Sequence, residues 1–145
     1  MSFAGALLAA NLGPALFLTG LIWTIQIVHY PLFGRVGPAD FPAYEAAHTA
    51  RITPLVGPVM LLELAAAIDL VFASPPAIPA WAAWTALALV ALIWASTFLL
   101  QIPRHAQLAS GFHAAAHAAL VSSNWIRTAA WSARSALLLW LSFRS

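Results

Sequence analysis

Four long apolar segments, separated by short stretches rich in proline, glycine and polar residues, make up almost the whole chain. They cover residues 5–30, 43–73, 79–103 and 112–142. Each exceeds the roughly 20 residues that an α-helix needs to cross about 30 Å of hydrocarbon at about 1.5 Å per residue. The pattern predicts four membrane-spanning helices in a single transmembrane domain, residues 1–145.

The connections between these segments are short and carry helix-breaking residues. The first contains Gly34, Gly37 and Pro38, the second contains Pro75 and Pro76, and the third contains Gly111. Because loops this short join antiparallel neighbours, the predicted fold class is all-α, an integral membrane four-helix up-and-down bundle.

The start of the second segment allows an alternative. Residues 41–52 could form a short helix in the membrane interface, with the span beginning near Thr53. Pro54 and Pro58 favour a bend there, because each removes a backbone donor and crowds the preceding turn. His48 lies near the same interface in both interpretations.

Composition supports the membrane assignment and excludes several classes of protein. Hydrophobic residues make up 63%, charged residues 7%, and mean hydropathy is +0.88, so we expect an integral membrane protein in contact with the lipid bilayer. The six basic residues are scattered arginines, which argues against nucleic acid as a partner. Cysteine is absent, which excludes thiolate and iron–sulfur chemistry.

The arginines also bear on location. Arg35, Arg51 and Arg104 lie at one end of the predicted bundle, against Arg134 and Arg144 towards the other. By the positive-inside rule, this slightly favours a cytoplasmic position for the first end. The expected location is a bacterial inner membrane.

Four charged residues lie well inside the predicted spans, away from the histidine ends, and counting residues suggests how they pair. Glu63 is 15 residues after His48, and Arg127 is 14 residues after His113, both about 22 Å at 1.5 Å per residue. Asp69 and Arg134 are each 21 residues after the same histidines. Since unpaired charges are costly in hydrocarbon, we predict the ion pairs Glu63–Arg127 and Asp69–Arg134.

All five histidines fall at segment ends that the up-and-down order brings to one side of the membrane. His29 closes the first segment, His48 opens the second and His105 closes the third, while His113 and His117 open the fourth. Helical spacing places polar residues on the same faces, so these faces are expected to point inward. The histidines are therefore candidate metal ligands, with Gln26, Tyr30 and Gln101 orienting their rings.

The donor set narrows the choice of metal. Glu45 and His48 form a Glu-x-x-His pair of the kind that binds metals in helical bundles, and His113 and His117 have the spacing of a chelating pair. Few carboxylates lie near, so the expected cofactor is copper or iron, as one ion or two, with zinc as a further candidate. Haem b is the alternative, held by one or two of the histidines.

Two stretches carry a family resemblance. His29-Tyr30-Pro31 closes the first segment, and Phe41 to Arg51 opens the second. In these residues and in its four-span profile, the chain resembles small membrane proteins of the anthrone-oxygenase-like domain family of unknown function. The resemblance implies oxidation of an aromatic or lipophilic substrate with little help from cofactors, with His48, Tyr44 and Arg51 as candidate site residues. In size and helix count the chain is also similar to the four-span haem-binding protoporphyrinogen oxidases of bacteria.

The functional prediction is a histidine-rich, metal-dependent membrane oxidoreductase or oxygenase acting on a lipophilic or aromatic small molecule. Glu45 and Tyr44 are expected at the reacting centre, and Arg51 or Arg104 would stabilise developing negative charge. One alternative is a haem b-binding oxidase or cytochrome-like protein. The other is a non-catalytic scaffold or carrier, alone or as a homo-oligomer, whose histidines sense pH.

Overall fold

The computed structural model describes residues 2–73 and 75–144, and the regular structure of these residues is entirely helical. The four long helices are α1 (Phe3–Phe33), α2 (Phe41–Phe72), α3 (Ala80–Leu108) and α4 (Ala114–Ser142). The all-helical prediction is confirmed. The alternative of a separate interfacial helix over residues 41–52 is wrong, because α2 runs without a break through Pro54 and Pro58.

Two of the helices change their pitch near the histidine end. One turn of π-helix interrupts α1 at Ile25–His29, and another interrupts α3 at Thr97–Gln101. Each turn lies just before a proline, Pro31 or Pro103, whose ring would crowd the carbonyl four residues earlier in a regular helix. The wider turn therefore accommodates the proline and also redirects the side chains of His29 and Gln101.

The helices form a ring in chain order. Helices α1 and α3 each pack against both α2 and α4. One end of the bundle is closed by alanine and leucine side chains, among them Ala15, Ala67 and Ala86, which are fully buried. At the histidine end, larger buried side chains such as Phe33 and Trp131 surround a less densely filled interior. The site described below lies at this end.

Helices α1, α2 and α3 are long and apolar enough to cross a membrane. Their outer faces expose large apolar side chains, for example Leu62, Phe72 and Leu99, as expected of a surface that contacts lipid. These features indicate an integral membrane protein. Among the described residues α4 does not reach the same hydropathy, because it carries a row of polar residues that includes Asn124, Arg127 and Arg134.

The charges inside the bundle pair differently from the prediction. Arg134 donates to Glu63 at 3.0 Å, and both side chains are fully buried. Arg127 instead donates twice to Asn124 Oδ1, at 2.9 and 2.7 Å. Asp69 is exposed, and no ion pair involves it in the described part of the chain. The pairs Glu63–Arg127 and Asp69–Arg134 are therefore wrong.

The error comes from the assumption that His48 and His113 lie at the same depth. His29 meets His48 directly, whereas Gln26, about one turn deeper in α1, bonds to Val121 on α4. The position on α4 that is level with His48 is therefore several residues beyond His113. This offset brings Arg134, rather than Arg127, to the depth of Glu63.

Candidate functional site

A chain of hydrogen bonds links three helices at the histidine end. His105 Nδ1 on α3 lies 2.6 Å from Glu45 Oε1 on α2, and His105 Nε2 lies 2.9 Å from the Tyr30 hydroxyl on α1. The carboxylate accepts from Nδ1–H, which leaves Nε2 with its lone pair to accept from the phenol. Glu45 therefore fixes the tautomer in which His105 can take a proton from Tyr30.

Among the described residues, only one of the two carboxylate oxygens of Glu45 forms a hydrogen bond. Its Oε1 bonds to His105, while its buried Oε2 has no hydrogen-bond partner in the described residues. A buried carboxylate without full hydrogen bonding is stabilised by a neighbouring positive charge. Glu45 therefore lies where its carboxylate can balance a positive charge that develops on His105 during a proton transfer.

A second pair of imidazoles lies beside this chain. His29 Nε2 and His48 Nδ1 are 2.8 Å apart, and the rings of His48 and His105 stack with centroids 5.3 Å apart. His48 lines both the interior cavity and a surface depression, and the depression also contains His29, Tyr44 and Arg51. With a proton on His48 Nδ1, the pair forms a hydrogen-bonded link from the interior to the interface.

The two histidines of α4 lie apart from this group. His117 Nε2 donates to the backbone carbonyl of Tyr30 at 2.7 Å, and its ring stacks on Phe33. His113 is exposed and occupies the N-cap position of α4 without a side-chain capping bond. Of the five predicted ligands, the structure brings His29, His48 and His105 together, fixes His117 to the backbone and leaves His113 outside.

A cavity of about 370 Å³ is lined by Tyr30, His48 and His105. Most of its wall is apolar and comes from all four helices. Its other lining residues are Leu18, Leu21, Ile22, Ile25, Thr49, Ile52, Thr53, Val56, Gly57, Met60, Trp94, Thr97, Phe98, Gln101, Ile102, Arg127 and Trp131. Such a space, apolar with a few converging polar groups, is typical of a binding site for a small lipophilic molecule.

Access to the cavity lies between α2 and α3. Phe98 and Ile102 line it, yet 56% and 49% of their surfaces are exposed on the outer face of α3. That outer face is the one that contacts lipid in a membrane-spanning bundle. The opening therefore suits a molecule that arrives from the bilayer.

A polar belt continues from the cavity into α4. Gln26 Oε1 accepts from Asn124 Nδ2 at 2.8 Å, and Gln101 Nε2 donates to Ser123 at 3.2 Å. Neither glutamine bonds to an imidazole in the described residues, so the prediction that Gln26 and Gln101 orient the histidine rings is wrong. Of the three residues predicted in that role, Tyr30 is the one that bonds to an imidazole.

The predicted charge-stabilising arginines lie away from the cavity. Arg51 is exposed in the surface depression beside His29. Arg104 donates to Gln107 at 3.1 Å on α3 and does not line the cavity wall. The arginine that does line the cavity is Arg127. It is 7% exposed and lies beside the Tyr30 hydroxyl.

The donor atoms do not fit a metal centre as they stand. Both nitrogens of His105 are bonded to other side chains, and His29 and His48 use one nitrogen each on the other. Within residues 2–73 and 75–144, no three or more histidine and acidic side chains are arranged to hold a metal ion. His48 Nε2 is the nitrogen left for a haem iron, with no imidazole opposite it.

These hydrogen bonds lead to a prediction about the purified protein. We expect less than one equivalent of copper, iron or zinc, and no Soret band, because both nitrogens of His105 are bonded, and a metal could recruit it only by breaking its bond to Glu45 or to Tyr30. Elemental analysis and an absorption spectrum of protein expressed in metal-replete medium measure both. One equivalent of metal that is lost together with stability in His48→Ala would contradict this prediction.

Comparisons with known proteins add no family. No protein-family model, no curated protein and no solved structure matches this chain. The functional assignment therefore depends on the geometry of the site.

Sequence reasoning missed two features of the site. It placed Arg127 in an ion pair, and it gave Trp94 no chemical role. Helical spacing had placed Trp94 and Thr97 on one face of α3, and both line the cavity. The sequence did contain a signal for this. The polar residues along one face of α4 outnumber the acidic residues of α2 that could pair with them.

Proposed function

We propose that this protein is a four-span integral membrane enzyme that binds a lipophilic small molecule inside the bundle and removes a proton from it. The observation that carries the proposal is the Glu45–His105–Tyr30 chain, which ends at a largely apolar cavity.

The fourth span is inferred from where α4 places its polar residues. Arg127 and Arg134 are buried, while Trp125, Ile126 and Leu139 are exposed on its outer face. Its 29 residues extend for about 43 Å, enough to cross the hydrocarbon core. Helix α4 is thus polar towards the bundle and apolar towards lipid, which supports a bundle of four antiparallel spans.

The reaction follows from the order of the groups. A carboxylate that orients an imidazole, which in turn bonds to a hydroxyl, is the arrangement by which enzymes activate a hydroxyl, because the imidazole accepts its proton. Here the hydroxyl belongs to Tyr30, a residue that lines the cavity. As the Tyr30 oxygen takes a proton from the substrate, its own proton passes to His105 Nε2. The products are a substrate anion and a His105 imidazolium beside the Glu45 carboxylate.

The cavity wall indicates the substrate class. A lipophilic ketone with an acidic C–H group beside its carbonyl, or a phenol, offers both apolar surface and a removable proton. Loss of that proton makes an electron-rich anion, from which oxidation of an aromatic compound can begin. This step agrees with the oxidation that the family resemblance implies, and it requires none of the predicted metals.

Proton exchange on a model ketone tests the proposal. With 2-tetralone in deuterated buffer, protein in lipid nanodiscs is expected to exchange the hydrogens beside the carbonyl roughly 100-fold faster than empty nanodiscs, the low end of general-base catalysis. Mass spectrometry of the recovered ketone measures the rate. Equal rates with and without protein, for both 2-tetralone and 2-indanone, would contradict the enzyme and leave a carrier as the explanation of the cavity.

A further inference from the structure

Trp94 combines a buried, unpaired hydrogen-bond donor with a place in the cavity wall. Its indole N–H is out of contact with solvent and has no hydrogen-bond partner in the described residues, and its side chain lines the cavity wall. The neighbouring Trp131 also lines the cavity, but its N–H donates to Glu63 at 2.9 Å. Leaving a buried donor unpaired is costly, so the Trp94 N–H is suited to a ligand acceptor.

Arg127 adds an unbalanced positive charge to the same wall. Its Nε and Nη2 bond to the neutral side chain of Asn124, and its Nη1 has a 3.4 Å contact with Thr97. No carboxylate pairs with it in the part of the chain that the structure describes. Arg134, on the same helix, is paired with Glu63, so the bundle neutralises one buried arginine and not the other.

Thr97 connects Trp94 with Arg127, and all three residues line the cavity. Thr97 follows Trp94 by three residues on α3, and its hydroxyl contacts Arg127 Nη1. Both groups only donate hydrogen bonds. A buried cation and an N–H donor beside apolar walls favour an oxygen that carries negative charge, because the field of a charge is strong where water is excluded.

We propose that Trp94 and Arg127 form a binding site for a negatively charged oxygen of a lipophilic ligand. This inference rests on the proposed function and names its substrate class, a compound whose oxygen becomes an enolate or phenolate when the proton leaves. The same site would hold the oxygen of a stable lipophilic anion such as an aromatic carboxylate.

A pair of probes of similar shape tests the site by binding alone. In nanodiscs, with partition into empty nanodiscs subtracted, 2-naphthoate is expected to bind more tightly than 2-methylnaphthalene. Trp94→Phe is expected to weaken 2-naphthoate binding roughly 10- to 100-fold and to leave 2-methylnaphthalene unchanged, because one hydrogen bond to a charged group is lost. Trp84→Phe, a change on the exposed surface of α3, serves as the control and is expected to alter neither affinity.

The outcomes separate this inference from the enzyme proposal. If 2-naphthoate binds no better than 2-methylnaphthalene, or if Trp94→Phe and Trp84→Phe bind it equally, the oxygen site is wrong even where 2-tetralone still exchanges. If the Trp94 effect is found and 2-tetralone does not exchange, the oxygen site stands and the catalytic proposal fails. Arg127→Gln also removes the bonds to Asn124, so Trp94→Phe carries the test.

Discussion

Replacing Tyr30 with phenylalanine is expected to slow the exchange of 2-tetralone hydrogens about 100-fold, to the rate of empty nanodiscs, because the contribution of the general base is lost. The change removes one oxygen atom and keeps the ring that packs against Phe33 and His105. Without that oxygen, the substrate proton has no bonded route to His105. The exchange rate is measured with variant and wild type in the same nanodisc preparation, at equal protein concentration.

The matched control is the other tyrosine of the chain. Tyr44 is half-buried in the surface depression with His29 and does not line the cavity, so Tyr44→Phe is expected to keep the wild-type exchange rate. The family resemblance implies the reverse, with Tyr44 at the site. A slow Tyr44→Phe beside an unaffected Tyr30→Phe would move the reacting centre to the depression and refute the Glu45–His105–Tyr30 chain.

The sequence was sufficient to predict the helices, because hydrophobic run length and helix-breaking residues depend on local chemistry. The π turns before Pro31 and Pro103 were not predicted, since a proline near the end of a helix can equally stop it, as was expected of α3 at residue 103. Helix α3 instead continues to Leu108. That extra turn carries His105 into contact with Glu45 rather than into a loop.

The site was predicted less completely, for a geometric reason. Residues on one helix can be compared by spacing, but residues on different helices can be compared only if one inter-helix contact is known. The assumed contact, His48 level with His113, gave the wrong partners for Arg127 and Arg134. All five histidines were grouped because they fall at segment ends on one side of the membrane, and His29, His48 and His105 are the three that meet.

The hydrogen bonds of the grouped histidines also determine which chemistry these residues can support. From the sequence, an imidazole cluster and a metal centre look alike, because both require histidines on inward faces of different helices. The structure pairs His29 with His48, and joins His105 to both Glu45 and Tyr30. Both nitrogens of His105 are thereby used within the protein, and this favours proton transfer over metal coordination as the role of His105.

The charged network at the centre of the bundle leads to the largest expected effect on stability. Glu63 accepts from Arg134 with one oxygen and from Trp131 with the other, and Arg134 also donates to Asn11 Oδ1 at 2.8 Å. Glu63→Gln would leave the buried Arg134 charge without its counter-ion. We expect it to lower the free energy of unfolding by about 3–5 kcal/mol, the usual cost of breaking a buried ion pair from one side.

This loss of unfolding free energy is measured by unfolding the protein with sodium dodecyl sulfate in mixed micelles while circular dichroism monitors the helix content. Asp69→Asn makes the equivalent change of charge on the same helix at an exposed position, and is expected to stay within about 0.5 kcal/mol of wild type. The double variant Glu63→Leu/Arg134→Leu is expected to recover most of the loss, because removing both charges avoids an unpaired one. Equal losses for Glu63→Gln and Asp69→Asn would mean that the ion pair does not hold α2 against α4, and that the depth correction placing Arg134 at Glu63 is itself wrong.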